Sequence, residues 1–260
     1  MQDLEGKTAI ITGAARGTGE AIARRLAAFG ARVILGDIRP EEGRAAAAAI
    51  GSGATFVELD VTRADDWARL VERALALADG IDILVNNAAV LHLGPIDRTP
   101  EATFRRVFEV NTVGAFLGIA AVAPVMRSAG RGSIVNIASL DALIGMNGLS
   151  AYCTSKWALR GLSHATAMEL GRDGIRVNTV CPAGGNPAMY EPWMSDLIQM
   201  AEQTAAYVAD RALPAEAPLS SIADAVCFLA SDMSSHCTGI DLPVDGGASA
   251  GRFIEGFNRL

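Results

Sequence analysis

The sequence has no C-x-x-C pair, no clustered histidines and no run of lysines or arginines. Its four cysteines (Cys153, Cys181, Cys227, Cys237) and three histidines (His92, His164, His236) are scattered, so no metal site is expected. Unpaired thiols of this kind fit the reducing cytoplasm. The balance of 22 basic against 29 acidic residues gives a net charge of −7, and nucleic acid is not an expected partner. The N-terminal M-Q-D-L-E-G-K lacks the basic-then-apolar layout of a signal peptide. The longest uncharged stretch of helical character, Asn111 to Met126, falls short of a bilayer span and contains Pro124. A soluble cytoplasmic protein with no membrane partner is therefore expected.

What is present is a chain of 260 residues, half of them hydrophobic, enough for one domain (1–260) with a large core. Short β-branched runs at 7–12, 32–36, 54–59, 82–85, 132–138, 175–180 and 240–244 alternate with helical patterns near 17–29, 41–50, 63–78, 101–128, 152–171 and 220–230. The strand runs are apolar almost throughout, as when helices cover both faces of a parallel sheet. The expected fold class is α/β, a doubly wound (Rossmann) seven-stranded parallel sheet with helices on both faces. One long irregular stretch, 181–219, is rich in Pro, Gly and Met, and its part from about 184 to 219 is expected to be a substrate lid.

Between the first strand and the first helix stands T-G-A-A-R-G-T-G, Thr12 to Gly19. Gly13, Gly17 and Gly19 allow a tight turn and a close approach of backbone to a pyrophosphate, which the helix N-terminus favours. Arg16 and Thr18 lie in the same turn. At the end of the second strand comes Asp37, followed by Ile38. A carboxylate there accepts hydrogen bonds from the adenosine ribose and repels a 2′-phosphate, so NAD is the expected cofactor. An Asp capping the next helix would look the same, and Arg16 and Arg39 could offset the repulsion.

Further on, Y-C-T-S-K places Tyr152 and Lys156 four residues apart on one helix face. A fixed positive charge favours the phenolate, which would tune the tyrosine for proton transfer. An amphipathic helix that merely carries Tyr and Lys would read identically.

Taken in order, these motifs resemble the short-chain dehydrogenase/reductase family over almost the whole chain, from Gly6 to about Gly247. The glycine motif corresponds to Thr12, Gly13, Gly17 and Gly19, with Thr18 in the usual place of an isoleucine. The adenine-side acid corresponds to Asp60, followed by Val61, and the N-N-A-G motif to Asn86-Asn87-Ala88-Ala89. The resemblance implies a catalytic set of Asn111, Ser139, Tyr152 and Lys156. In it Tyr152 exchanges the substrate proton, Ser139 holds the substrate oxygen, and Asn111 holds a water leading from Lys156 to solvent. Lys156 also binds the nicotinamide ribose. The family's P-G-x-V-x-T appears as Pro182-Ala183-Gly184-Gly185-Asn186-Pro187, so the carboxamide contacts would pass to Pro182, Gly184 and Gly185 or to Asn186.

The activity so implied is hydride transfer between NAD(H) and a secondary alcohol or ketone. Stretches such as S-K-W-A-L-R-G-L are similar to bacterial hydroxysteroid dehydrogenases, and Met189, Tyr190, Trp193, Met194, Leu197, Ile198 and Met200 would suit a bulky apolar ligand. The alternatives are a 3-oxoacyl-thioester reductase, a sugar-nucleotide epimerase or dehydratase, or a catalytically silent dinucleotide-binding protein. The resemblance also implies a homotetramer.

Overall fold

A computed structural model of the chain describes residues 4–51, 53–184, 187–254 and 256. Its strands are β1 (Thr8–Thr12), β2 (Arg32–Asp37), β3 (Ala54–Glu58), β4 (Ile83–Asn86), β5 (Gly132–Ile137), β6 (Ile175–Pro182) and β7 (Asp241–Val244). They form one sheet in the order β3-β2-β1-β4-β5-β6-β7, and every pairing is parallel. The order reverses between β1 and β4, which leaves a crevice at their carboxyl ends, the usual ligand site of such sheets.

Alternation along each strand sends side chains to two separate cores. Ala9, Ile11, Val33, Leu35, Ile83 and Val85 pack under α1 (Gly17–Ala28) and α9 (Leu219–Ala230). Ile10, Ile34, Leu84, Ile134 and Val177 face the opposite layer, which contains α3 (Ala64–Leu77), α5 (Gly114–Ala129) and α6 (Ser150–Leu170). Both sets are buried, so the strands read as continuous apolar runs. The remaining early helices are α2 (Pro40–Ile50) and α4 (Glu101–Phe108), and a π-helical turn, Glu109–Val113, joins α4 to α5. That turn rotates Asn111 into the interior, where it is buried.

The continuous helix Glu101–Ala129 has the length and apolarity to cross a bilayer, but over half of its apolar window is buried in the protein. Gly118 on α5 leaves no room for a side chain against the Trp67 ring of α3. Trp67 is itself buried and donates its indole N–H to the Val61 carbonyl at 2.9 Å. A core helix accounts for this run.

The stretch 181–219 departs from the irregular segment expected of it. β6 continues to Pro182, and two helices follow, α7 (Met194–Gln199) and α8 (Ala201–Ala209). α8 reads A-E-Q-T-A-A-Y-V-A, a run of strong helix formers, so propensity carries it without an apolar face. Pro182 closes its strand, and the next N–H, that of Ala183, continues the pairing to the Val244 carbonyl at 3.0 Å. Gly185 and Asn186 lie outside the described residues.

Candidate active site

The glycine turn is built as a cradle at the end of β1. Gly13 and Gly17 have φ of +63° and +61°, the left-handed region that favours glycine. A Cβ on Gly19 would collide with the Gly13 carbonyl, and one on Gly13 would press on the Ala88 backbone. Thr12 holds the facing strand: its hydroxyl accepts the N–H groups of Asn87 and Ala88, both at 3.0 Å. The Asn87 amide donates to the Thr12 and Gly13 carbonyls at 2.9 and 3.1 Å. Asn86 instead serves the interior, donating to Asn136, which donates in turn to Ser163 on α6.

A cleft of about 380 Å³ opens over this cradle, lined among others by Gly13, Arg16, Thr18, Gly19, Asp37 and Ile38. Asp60, Val61, Asn87 and Ala88 line the same cleft. Asp37 sits at the tip of β2 with its oxygens turned to the turn: Oδ2 accepts the Ala15 N–H at 3.0 Å and Oδ1 the Arg39 N–H at 3.1 Å. Its second lone pairs remain for a ribose. Asp60 Oδ1 accepts from both the N–H and the hydroxyl of Thr62, so part of that carboxylate is spent on its own turn. Arg16 pairs with Glu191 of the 181–219 stretch at 3.8 Å. The cleft, the side-chain-free cradle and the acid at the end of β2 fit a nicotinamide dinucleotide. A larger cavity, about 560 Å³, lies at the amino ends of the strands among Lys7, Asp82, Arg131 and Arg176. Arg131 and Lys7 there already pair with Asp82, at 2.9 and 3.8 Å, and the cavity lies at the opposite end of the strands from the crevice.

The predicted catalytic residues meet at the carboxyl end of β5. Ser139 follows that strand and starts a short turn, Leu140–Ala142. Tyr152 and Lys156 come from the first turns of α6, both buried. Ser139 lies near enough to the Tyr152 hydroxyl to favour its ionised form. Lys156 donates to the Ile137 carbonyl at 2.8 Å, and its Nζ lies 5.6 Å from the Tyr152 ring centre. Burial lowers the Lys156 pKa to about 8. The Tyr152 phenol is pushed up, first by burial and then by Tyr190 and Asp141, with Ser139 opposing. Desolvation is the largest of these influences on the phenol.

Asn111 is close by, and both ends of its side-chain amide are engaged. Oδ1 accepts the Val90 N–H at 2.8 Å, and Nδ2 donates to the Val90 carbonyl at 2.9 Å and to Ser155 Oγ at 3.0 Å. The amide therefore ties the loop after β4 to α6. Pro182 and Gly184 stand at the end of β6, where Gly184 has φ of +115° and abuts Glu216.

One residue in contact with Ser139 escaped the sequence reading. Asp141, two residues after Ser139, donates its N–H to Ser139 Oγ at 3.1 Å, and its Oδ2 accepts the Ser139 hydroxyl at 3.1 Å. The S-x-D spacing of a serine turn was the available signal. The apolar residues expected around a ligand divide: Met189 and Trp193 line the cleft, whereas Met194, Ile198 and Met200 are exposed.

A family profile described as enoyl-(acyl carrier protein) reductase matches residues 13–249. The chain is 42% identical over 248 residues to a 3-alpha-(or 20-beta)-hydroxysteroid dehydrogenase of Mycobacterium tuberculosis, covering 95% of this chain and 91% of that protein. It is 39% identical over 258 residues to a trans-4-hydroxycyclohexanecarboxylate dehydrogenase of Sinomonas cyclohexanicum, covering 96% and 95%. Among solved structures, levodione reductase superposes with a TM-score of 0.90 at 31% identity, covering 95% of this chain and 99% of that one.

Proposed function

This chain belongs to the short-chain dehydrogenase/reductase family, and we propose that it is an NAD-preferring dehydrogenase of alicyclic secondary alcohols, steroid-like ones included. The observation that carries the reading is the meeting of Ser139, Tyr152 and Lys156 at the end of β5, beside a cradle suited to a dinucleotide. A nicotinamide dinucleotide held by Gly13, Arg16, Gly17, Thr18, Gly19, Asp37, Ile38, Asp60, Val61, Asn87 and Ala88 would supply the hydride acceptor. Pro182, Gly184 and Gly185 stand in the segment assigned to its carboxamide end.

The protein's own residues handle the proton. The Tyr152 oxygen takes the proton of the substrate hydroxyl in oxidation and returns one in reduction. Ser139 Oγ fixes the substrate oxygen where charge develops. Lys156, anchored on the Ile137 carbonyl, supplies the positive charge that offsets desolvation of a phenolate. Asn111 positions α6 through Ser155 and so keeps Tyr152 and Lys156 in register. The segment from about 184 to 219, with α7 and α8, covers the substrate side.

The named relatives act on hydroxysteroids and a hydroxycyclohexane acid, which favours an alicyclic carbinol over a 3-oxoacyl thioester. The complete set of Ser, Tyr and Lys argues against a silent binding protein. The reading extends to a cytoplasmic homotetramer, for which Phe116 on α5 and Trp157 and Met168 on α6 are exposed apolar groups available for subunit contact. The test is a panel of cyclic alcohols and ketones assayed with NAD(H) and NADP(H). Turnover of cyclic secondary alcohols with NAD supports the reading, and turnover of acyl thioesters alone refutes it.

A further inference from the structure

Asp141 has no place in the proton path just described, yet it grips the serine on which that path depends. The Ser139 hydroxyl has one proton to give and two lone pairs with which to accept. The Asp141 N–H fills one lone pair at 3.1 Å. Asp141 Oδ2 lies 3.1 Å from the same Oγ, and as a carboxylate it takes the serine's only proton. Ser139 then has no donor left for a substrate oxygen. The same contact can run the other way. Protonated at Oδ2, Asp141 donates to the second lone pair of Oγ, and the serine proton has only the substrate side left to it.

The surroundings favour that neutral form. Asp141 Oδ1 is buried and has no hydrogen-bond partner among the described residues. No arginine or lysine stands within 4.0 Å of the carboxyl among those residues. The groups that act on it by charge are Tyr152, Cys153 and Lys156 of α6, Tyr190 of the 181–219 stretch and Tyr207 of α8. Lys156 is the one cation in that set, and its ammonium is anchored on the Ile137 carbonyl. A buried carboxylate with a bare oxygen is costly, whereas an uncharged carbonyl oxygen in the same place costs far less. Burial accordingly raises the Asp141 carboxyl above its ordinary range, with Ser139 and Lys156 opposing.

Resting on the assignment of Ser139 and Tyr152 above, we propose that Asp141 is a positioning residue that works as a neutral acid: its carboxyl donates to Ser139 Oγ and so aims the serine proton at the substrate oxygen. On losing its proton, Asp141 reclaims that of Ser139 and sets a negative charge near the oxygen where charge develops. Both effects oppose turnover.

The test is the pH profile of kcat/KM for reduction of cyclohexanone at saturating NADH, by the wild type and by Asp141→Asn. The wild-type value is expected to fall by about tenfold or more as pH rises and Asp141 ionises, the effect of losing one donor to a developing charge. Tyr152, pushed up by burial, loses its proton later. The amide of Asp141→Asn does not ionise, and with its NH2 on Ser139 Oγ only a carbonyl oxygen occupies the donor-free place of Oδ1. The variant is expected to stay within about threefold of the wild type measured below the fall, and to lack the fall itself. A merely structural role would lower the rate equally at every pH. A wild-type profile without the fall overturns the proposal, and so does a fall that persists in the folded variant. Should the variant not fold, carboxyl-carbon NMR of the wild type labelled at aspartate and saturated with NADH decides. One aspartate signal is expected to titrate at the midpoint of the fall, and the lack of any such signal overturns the proposal. Reduction of cyclohexanone without the fall leaves the alicyclic reading standing, whereas no reduction of any cyclic ketone at any pH removes both.

Discussion

Replacing Asp37 by serine should erode the choice between NAD and NADP, and the structure sets the size of the effect. The Asp37 carboxylate lines the cleft at the tip of β2. Two unit charges held at about 4 Å in an effective dielectric of 20 repel by about 4 kcal/mol, which sets the scale for a 2′-phosphate beside this carboxylate. The two arginines that could relieve this are partly claimed: Arg39 pairs with Glu42 at 3.2 Å and Arg16 with Glu191 at 3.8 Å. After some relief from them, about 3 kcal/mol remains, a preference for NAD on the order of 10² in kcat/KM. Serine removes the charge but also the acceptors of the Ala15 and Arg39 N–H groups. The glycine turn should loosen, so efficiency with NAD falls while that with NADP rises, and the gap closes to about tenfold or less. The assay is initial-rate kinetics with one cyclic alcohol and each cofactor. Parity in the wild type, or an unchanged gap in Asp37→Ser, would refute the electrostatic argument.

Lys156 makes a prediction about pH. Its folded pKa, about 8, lies below the ordinary 10.5 because of burial. Between those values the unfolded chain holds a proton that the folded one lacks, so this group's contribution to stability rises with pH across the window and its full cost is felt below it. Relative to Lys156→Met, the cofactor-free wild type should gain about 3 kcal/mol from pH 7 to pH 10.5, measured by urea unfolding. A pH-independent difference would show that the lysine is not desolvated as described. Thr12→Val leaves the N–H groups of Asn87 and Ala88 without their acceptor. It should destabilise the fold by about 2 kcal/mol or more and weaken NADH binding, read by thermal unfolding and fluorescence titration. Full retention of both would show that the strand-to-turn clamp is dispensable.

The sheet was legible because each strand is buried on two faces and its apolar run is therefore unbroken, as in A-I-I of β1 or V-I-L of β2. The glycine turn was legible because left-handed backbone and close approach leave few residue choices at Gly13 and Gly17. Ser139, Tyr152 and Lys156 come together as spacing and resemblance implied. The helices α7 and α8 were not legible, since they are short and exposed and carry no apolar period. The π turn at Asn111 hides inside an ordinary helical pattern, so the engagement of its side chain with Val90 and Ser155 could not be foreseen. The upward displacement of Tyr152 depends on burial, which spacing along a helix does not report.

The most direct test of the account is the turnover of a cyclic secondary alcohol by Tyr152→Phe, with NADH binding measured on the same sample. The phenol oxygen is the assigned proton acceptor, and phenylalanine keeps the ring packing while removing it. The account predicts a loss of about 10³-fold or more in kcat, with the NADH dissociation constant within about threefold of wild type. A kcat near that of the wild type would contradict the assignment of Tyr152, and with it the mechanism built on Ser139 and Lys156.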